Sequence, residues 1–214
     1  MTLFRIDSSI RRQGSVSREV ADTLEQAWVQ HHPVGKVVRR DLAAEPIPAA
    51  AWVAAATYGG GERTPEQEQG FALAATLADE LLAADAIVIA TPLYNFGINQ
   101  LLKSYIDLLI IDPRLAPGTQ PLSGRPVTIV MARGGGYGEG TPREGWDHAT
   151  PYLHRIFADV LGADVTVVAA ELTLAAIVPA MAELQPLAEV SRTQAHELAA
   201  ATGQAHAALV AAAA

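Results

Sequence analysis

Short strand-like runs alternate with longer helical segments five times along this chain. The strand runs are TLFRID, KVVRRDL, AIVIAT, VTIVMA and DVTVVAAE, which begin at residues 2, 36, 86, 127 and 164. In the segments between them, apolar residues recur at the three- and four-residue spacing of an amphipathic helix. Strands that alternate with helices predict a parallel sheet with helices packed on both of its faces.

The number of strands narrows the prediction to one α/β architecture. Five parallel strands fit a flavodoxin-like, doubly wound sheet with the strand order 2-1-3-4-5. The chain has 214 residues and neither an internal repeat nor a linker-like composition break, so residues 1–214 are predicted to form a single domain. In such a sheet, ligands bind outside the carboxyl ends of the strands, beside the point where the strand order reverses. The loops after strands 1, 3 and 4 therefore define the expected site.

Composition disfavours several classes of function. The formal net charge of -8 disfavours nucleic acid or an anionic membrane as a partner. The absence of cysteine excludes disulfides, thiolate-bound metals and thiol nucleophiles, and it suits a cytoplasmic protein. We find no apolar run long enough to span a membrane and no secretory signal at the N-terminus. Neither a His-x-x-x-His pair nor a carboxylate cluster indicates a metal site.

The loop after strand 1, SSIRRQGSVS, carries serines at the entrance to a helix. Helix N-termini offer free N–H groups and a partial positive charge, so they attract phosphate, and serine hydroxyls add donors. The phosphate-loop pattern G-x-x-x-x-G-K-[ST] is absent, which argues against a nucleoside-triphosphate enzyme. The alternative is that Ser15 or Ser17 simply caps the helix.

The loop after strand 3 reads PLYNFG, an unusual choice for a connection that only turns the chain. Leu93 and Tyr94 could lie against the face of a flat cofactor ring. Asn95 could bond the ring edge, and Phe96 could close the pocket. The alternative is that Tyr94 and Phe96 are core residues at a strand end.

The loop after strand 4, RGGGYGEG, lets the backbone approach a ligand closely because it is rich in glycine. It lacks the strand–GxGxxG–helix context of a dinucleotide site at the first strand. Tyr137 is a candidate substrate contact, and His148 could also face the site. The alternatives are a flexible turn and a helix-surface histidine. His31, His32, His196 and His206 are predicted at surface helix ends, without a role.

Two long segments, 43–64 and 112–126, are predicted to be irregular surface loops. Thr64 and Pro65 are predicted to begin a helix, and Gly162 to end a helix that starts near residue 145. The last helix is expected from about Ala180 to about Val210.

These motifs together resemble the FMN-dependent NADH-azoreductases, also called FMN-dependent NADH:quinone oxidoreductases, of flavodoxin-like fold. The likeness covers most of the chain, and IVIATPLYNFGINQLLKSYID is its most specific part. The resemblance implies bound FMN. The phosphate would sit on Ser9, Ser15, Val16 and Ser17. The ring would lie against Leu93, Tyr94, Asn95 and Phe96, and its other polar edge would be lined by Ala132, Arg133, Gly134 and Gly135.

The resemblance also implies a ping-pong transfer of two electrons from NADH or NADPH to quinones, azo compounds or both. Tyr137 and His148 are then hypothetical substrate contacts or proton donors. A homodimer is implied, with segment 44–64 and the third helix near the partner and with Trp52 and Tyr58 covering the partner's site.

This chain departs from the family pattern in four places. Val16 replaces a residue that is usually polar, and Ala132 replaces a frequent serine. Segment 112–126 has no aromatic residue, and the loop after strand 4 is longer and richer in glycine. Because both loops border the substrate side, three alternatives stay open: a flavodoxin-type electron carrier, a reductase dedicated to one pathway, and a protein of this fold that has lost flavin.

Overall fold

A computed structural model, which describes residues 1–213, contains one five-stranded sheet. All strands are parallel and their order is β2-β1-β3-β4-β5, which confirms the predicted fold. The strands are β1 (Thr2–Asp7), β2 (Lys36–Asp41), β3 (Ala86–Pro92), β4 (Pro126–Ala132) and β5 (Asp164–Ala170). The helices are α1 (Val16–His31), α2 (Ala49–Ala56), α3 (Pro65–Leu82), α4 (Gln100–Leu109), α5 (Ala149–His154) and α6 (Gln185–Ala213).

Apolar layers cover both faces of the sheet. Every residue of β3 and β4 is buried, as expected for parallel strands that are covered by helices on both sides. One cluster joins the sheet to α3, α4 and α5 through side chains such as Leu77, Ile106 and Phe157. The other joins it to α1 and α6, with Trp28 and Ala199 among its members. This arrangement places the carboxyl ends of β1, β3 and β4 side by side.

A buried asparagine connects two of these strand ends. Asn99 precedes α4 and caps it, because its Oδ1 accepts a hydrogen bond from the Leu102 N–H at 3.0 Å. Its Nδ2 donates to Ser8 Oγ at 2.9 Å and to Thr91 Oγ1 at 3.1 Å. The loop after β1 is therefore held directly against the end of β3.

The prediction of an irregular loop over residues 43–64 is wrong for the eight residues of helix α2. Alanine is the strongest helix former, and Pro48 stands just before the helix, where its fixed φ is tolerated. The helix packs closely on α3. A Cβ at Gly70 would lie 2.6 Å from the Ala51 carbonyl oxygen, so only glycine permits this approach.

The predicted helix ends are confirmed in part. Thr64 and Gln67 form a reciprocal capping box at the start of α3, with Pro65 in its first turn. Gly162 follows α5 and its π-helical continuation with φ +82°. The start of α5 lies at Ala149 rather than near 145, because the Asp147 carboxylate accepts hydrogen bonds from the first N–H groups of the helix.

Helix α6 begins later than predicted and buries one of its histidines. A 3-10 segment, Pro179–Leu184, precedes the α-helix. The prediction that His206 lies on the surface is wrong, since its side chain is only 7% exposed. It faces β4, where its Nδ1 lies 3.5 Å from Thr128 Oγ1. Among residues 1–213, no helix is long and apolar enough to cross a membrane, and no group of three or more acidic or histidine side chains could hold a metal ion.

Candidate functional site

Two adjoining clefts open at the carboxyl edge of the sheet. The first, which we call the serine cleft, has a volume of about 370 Å³. The second, the aromatic cleft, has a volume of about 500 Å³. Residues common to both walls are Leu93, Tyr94, Gly134 and Leu174. The predicted site residues that line the serine cleft are Ser9, Ser15, Val16, Ser17, Leu93, Tyr94, Ala132 and Gly134, and those that line the aromatic cleft are Leu93, Tyr94, Asn95, Phe96, Gly134 and Tyr137.

The serine cleft lies at the N-terminus of α1. Ser15 occupies the N-cap position, yet its side chain makes no capping hydrogen bond. Its hydroxyl instead lies 3.3 Å from the hydroxyl of Ser17, and both serines are buried. The first N–H groups of a helix have no partner within the helix. Capping alone therefore does not account for these serines, and their hydroxyls together with the adjacent N–H groups can bind an anion.

Arg18 holds the first loop from below. It donates to the Ser9 carbonyl oxygen at 3.0 Å and to both oxygens of the Asp41 carboxylate at 2.8 and 3.0 Å. Burial alone would raise the pKa of Asp41, but hydrogen bonds from Arg18 and from the Ala43 N–H lower it overall. The ionised pair fixes the position of Ser9, and its sequence neighbours gave no sign of this role.

A second arginine enters the serine cleft from a distant part of the chain. Arg192, on α6, forms an ion pair with Glu19 in the first turn of α1, and both residues line the cleft. An unpaired carboxylate there would repel an anionic ligand. Because Arg192 neutralises Glu19, the positive end of the α1 dipole remains available to that ligand.

The turn after β3 has an unusual backbone. Asn95 and Phe96 have φ values of +48° and +66°, and the Gly97 N–H donates to the Tyr94 carbonyl oxygen at 3.0 Å. A left-handed conformation is unfavourable for a residue such as phenylalanine, so the surrounding structure must hold it. The alternative that Phe96 is a core residue does not fit, because it is 38% exposed.

Two contacts from the segment before α5 support this turn. The Phe96 carbonyl oxygen accepts a hydrogen bond from the His148 N–H at 2.9 Å. The Phe96 ring meets Trp146 edge to face, with ring centres 5.4 Å apart. The side chain of His148 is exposed and lines neither cleft, so its visible contribution is through its backbone.

The glycine loop after β4 is fixed by the loop after β5. Carbonyl groups of residues 133–135 accept hydrogen bonds from N–H groups of residues 172–174. The N–H groups of Gly134 and Gly135, by contrast, have no acceptor within residues 1–213. A Cβ at Gly134 would lie 2.7 Å from Leu174 Cδ1, so a larger residue would not fit there. Gly134 thus presents an unused donor between the two clefts, whereas Gly135 is buried and lines neither.

The side chain of Arg133 is not available to a ligand. It contacts Asp147 at 2.7 Å, Glu171 at 2.9 Å and Thr150 Oγ1 at 3.0 Å, and it lines neither cleft. Burial would raise the pKa of Asp147, but hydrogen bonds from Thr150 and the charge of Arg133 lower it overall. Arg133 joins three loops and can contribute only backbone groups to the site.

Arg143 enters the aromatic cleft beside Tyr137. Its guanidinium carbon lies 5.9 Å from the centre of the Tyr137 ring. Neither Arg143 nor Arg192 was identified from the sequence, because no local motif marks them. Taken together, the clefts can hold a molecule with a phosphate at one end and a flat ring at the other.

Comparison with known proteins agrees with this geometry. A family model described as flavodoxin-like fold matches residues 1–200. An FMN-dependent NADH:quinone oxidoreductase of Streptomyces avermitilis is 43% identical over 209 residues, which cover 94% of each chain. A protein of the same name from a Parafrankia species is 40% identical and covers 92% of this chain and 96% of its own. The crystal structure of an azoreductase from Bacillus anthracis superposes with a TM-score of 0.76 at 24% identity, over 95% of this chain and 99% of its own, which shows the shared fold.

Proposed function

Since the chain belongs to the family of the FMN-dependent NADH:quinone oxidoreductases, we propose that it binds FMN and passes two electrons from NADH or NADPH to quinones, azo compounds or both in a ping-pong cycle. The observation that carries this proposal is the direct junction of the two clefts. An anion site at a helix N-terminus adjoins an aromatic wall, and Leu93, Tyr94 and Gly134 belong to both. A flavin mononucleotide has this distribution of charge and flat surface.

The serine cleft is where we place the phosphate of FMN. Ser9, Ser15 and Ser17 supply hydroxyls, and Val16 supplies only its N–H, since its side chain has no polar atom. The loss of one polar side chain at residue 16 leaves the first-turn N–H groups in place. These residues bind and orient; the two-electron redox chemistry is supplied by FMN when bound.

The aromatic cleft is where we place the ring and the acceptor. Leu93, Tyr94 and Phe96 offer surface for a planar group, and Asn95 offers a carboxamide at the tip of the turn. The Gly134 N–H, with Gly135 behind it, is suited to stabilise negative charge at the polar edge of the ring. Tyr137 is our candidate for contact with the acceptor or for proton donation. His148 acts through its N–H on the Phe96 turn.

We further propose a cytoplasmic homodimer in which α2 contacts the partner. Trp52 and Val53 of this helix are 41% and 50% exposed, which is unusual for large apolar side chains. Tyr58 is engaged within its own chain, where its ring packs edge to face on Phe71. Trp52→Glu should shift the mass found by light scattering at micromolar concentration from dimer to monomer, and Glu62→Gln serves as a surface control. A monomeric wild type would contradict this assembly.

The function is tested by the absorption spectrum of the purified protein before and after NADH is added without air. Flavin bands that bleach within seconds, and return when a quinone is added, support the proposal. Bands that NADH leaves unchanged would identify an electron carrier instead. A colourless protein that takes up no added FMN would refute the assignment of both clefts.

A matched pair of variants tests the placement of the phosphate. Ser15→Ala combined with Ser17→Ala should weaken the binding of FMN and leave that of riboflavin, which lacks the phosphate, nearly unchanged. The control is Ser123→Ala, because Ser123 is exposed and lines neither cleft. An equal loss for both flavins would mean that the serines support the ring and not the phosphate.

A further inference from the structure

The aromatic cleft contains one charged side chain, Arg143. The other lining residues are apolar, aromatic, glycine or asparagine: Ile10, Leu93, Tyr94, Asn95, Phe96, Gly134, Tyr137 and Leu174. Within residues 1–213, the Arg143 guanidinium forms no ion pair and donates no hydrogen bond. By contrast, Arg133 and Arg192 at the same edge of the sheet are both paired with carboxylates.

The structure holds this guanidinium inside the cleft. Its Nη1 lies 2.5 Å from the position that a Cβ at residue 135 would occupy, so only glycine leaves room for it. On another side it approaches the Tyr137 ring, with 5.9 Å from the guanidinium carbon to the ring centre. The charge is therefore placed against the wall of the cleft.

A charge in this position affects which molecules can enter. A neutral aromatic molecule that filled the cleft would remove water from the guanidinium and give nothing in return, which is unfavourable. A molecule with a carboxylate or sulfonate would replace that water with a charge-assisted, two-pronged hydrogen bond. No acidic residue lines this cleft to compete for the arginine.

We propose that Arg143 is a specificity-determining residue that pairs with an anionic substituent of the aromatic acceptor. The proposal rests on the proposed function and adds a substrate class to it: quinones or azo compounds that carry a carboxylate or sulfonate. The residue lies in the lengthened glycine-rich loop, so this preference belongs to the part of the chain that departs from the family pattern.

The test compares two acceptors with the FMN-loaded protein and NADH. Naphthoquinone is neutral, and naphthoquinone sulfonate carries the anion. Arg143→Gln should lower kcat/KM for the sulfonate about tenfold, through KM, because a hydrogen bond to a charged group is lost. It should change kcat/KM for the neutral quinone less than about twofold, a difference expected for the loss of a contact that this acceptor does not use. Arg143→Lys should recover part of the loss.

The control variant is Arg155→Gln, which removes the same charge from an exposed position outside both clefts. A binding measurement without turnover gives the second readout. Titration with naphthalene sulfonate, followed by the change in the flavin spectrum, should give a Kd that rises about tenfold in Arg143→Gln. Added salt should weaken this binding in the wild type more than in the variant.

Three results would overturn the proposal. Equal losses for the neutral and sulfonated quinones would show that Arg143 acts on the cofactor. A slower reduction by NADH, with unchanged acceptor kinetics, would place the anion on the donor. No effect on either acceptor or on Kd would remove the residue from recognition. All three leave the proposed function intact, which fails separately if the wild type does not reduce the neutral quinone with NADH.

Discussion

Acid should destabilise this protein through a single buried histidine. His206 lies on α6 and is 7% exposed, and its only recorded polar contact within residues 1–213 is Thr128 Oγ1 at 3.5 Å. Burial lowers the pKa of His206 from 6.5 to about 4, because the cation would lose its hydration and gain no counter-charge. The native state therefore keeps this imidazole neutral at a pH where the unfolded chain would protonate it.

The sign and size of the effect follow from this difference in pKa. Between the unfolded pKa and the native pKa, the unfolded chain binds more protons, so the free energy of unfolding falls as the pH falls. The contribution is fully present above pH 6.5 and is lost on the way down to about pH 4. At about 1.4 kcal/mol for each pKa unit, it amounts to about 2.5 kcal/mol at a pH near 4.5.

Urea unfolding of the wild type and of His206→Gln at pH values near 7.5 and 4.5 measures this contribution. Protein and FMN concentrations are held constant, because ligand and assembly also stabilise the folded state. The wild type should lose about 2.5 kcal/mol more than the variant over this range. His154→Gln, an exposed control on α5, should behave as the wild type. Equal losses in wild type and His206→Gln, or a ring pKa above about 6 by nuclear magnetic resonance, would refute the reasoning.

The remaining predictions concern the clefts and the helix packing. Arg192→Ala should weaken FMN binding about fivefold but not riboflavin binding, and adding Glu19→Gln should restore it, because the repelling charge is then gone; riboflavin weakened equally would contradict this. Tyr137→Ala should lower kcat/KM for a quinone, whereas His148→Ala should change it less than about twofold, since only Tyr137 lines a cleft; the reverse order would refute the placement. Gly203→Ala should lower the free energy of unfolding by about 2 kcal/mol in urea despite the better helix propensity of alanine, because a Cβ there would collide with the backbone of α1; a stabilised variant would contradict the close packing.

The fold was predictable because its signals are local. The runs AIVIAT and VTIVMA contain no charged residue, and a strand that is apolar on both faces belongs in the middle of a covered parallel sheet. The capping box at Thr64 lies within four residues of sequence. Strand order then followed from the handedness and connection rules of parallel sheets, which need only the order of the elements.

The elements that were missed lack such signals. Helix α2, AAAWVAAA, is apolar all round and only eight residues long, so it shows no periodicity, and prolines and glycines flank it. Helix α6 is so rich in alanine that its buried face cannot be read from contrast. The spacing of Ala199, Gly203, His206 and Val210 traces that face once it is known, and a glycine that stays inside a long helix was the available hint.

Arg133 shows where local reading of the site stops. Its place before three glycines suggested a cofactor contact, yet its side chain is bound by Asp147 and Glu171, which lie 14 and 38 residues further along the chain. Arg192 and Glu19 are 173 residues apart and still share the serine cleft. A charge in a sequence does not reveal its partner, and the partner decides whether the charge is available to a ligand.

The two clefts differ in this respect, and the difference bears on function. The serine cleft depends mainly on one strand-to-helix connection, residues 8–18, whose hydroxyls and first-turn N–H groups need few distant partners. The aromatic cleft is assembled from three separate loops, and its turn at Asn95 and Phe96 keeps a left-handed backbone only because the segment before α5 supports it. A change in any of these loops alters the acceptor side and leaves the phosphate side intact. The acceptor preference of this chain should therefore depend on the loop that carries Tyr137 and Arg143, while its cofactor should be the one that the whole family uses.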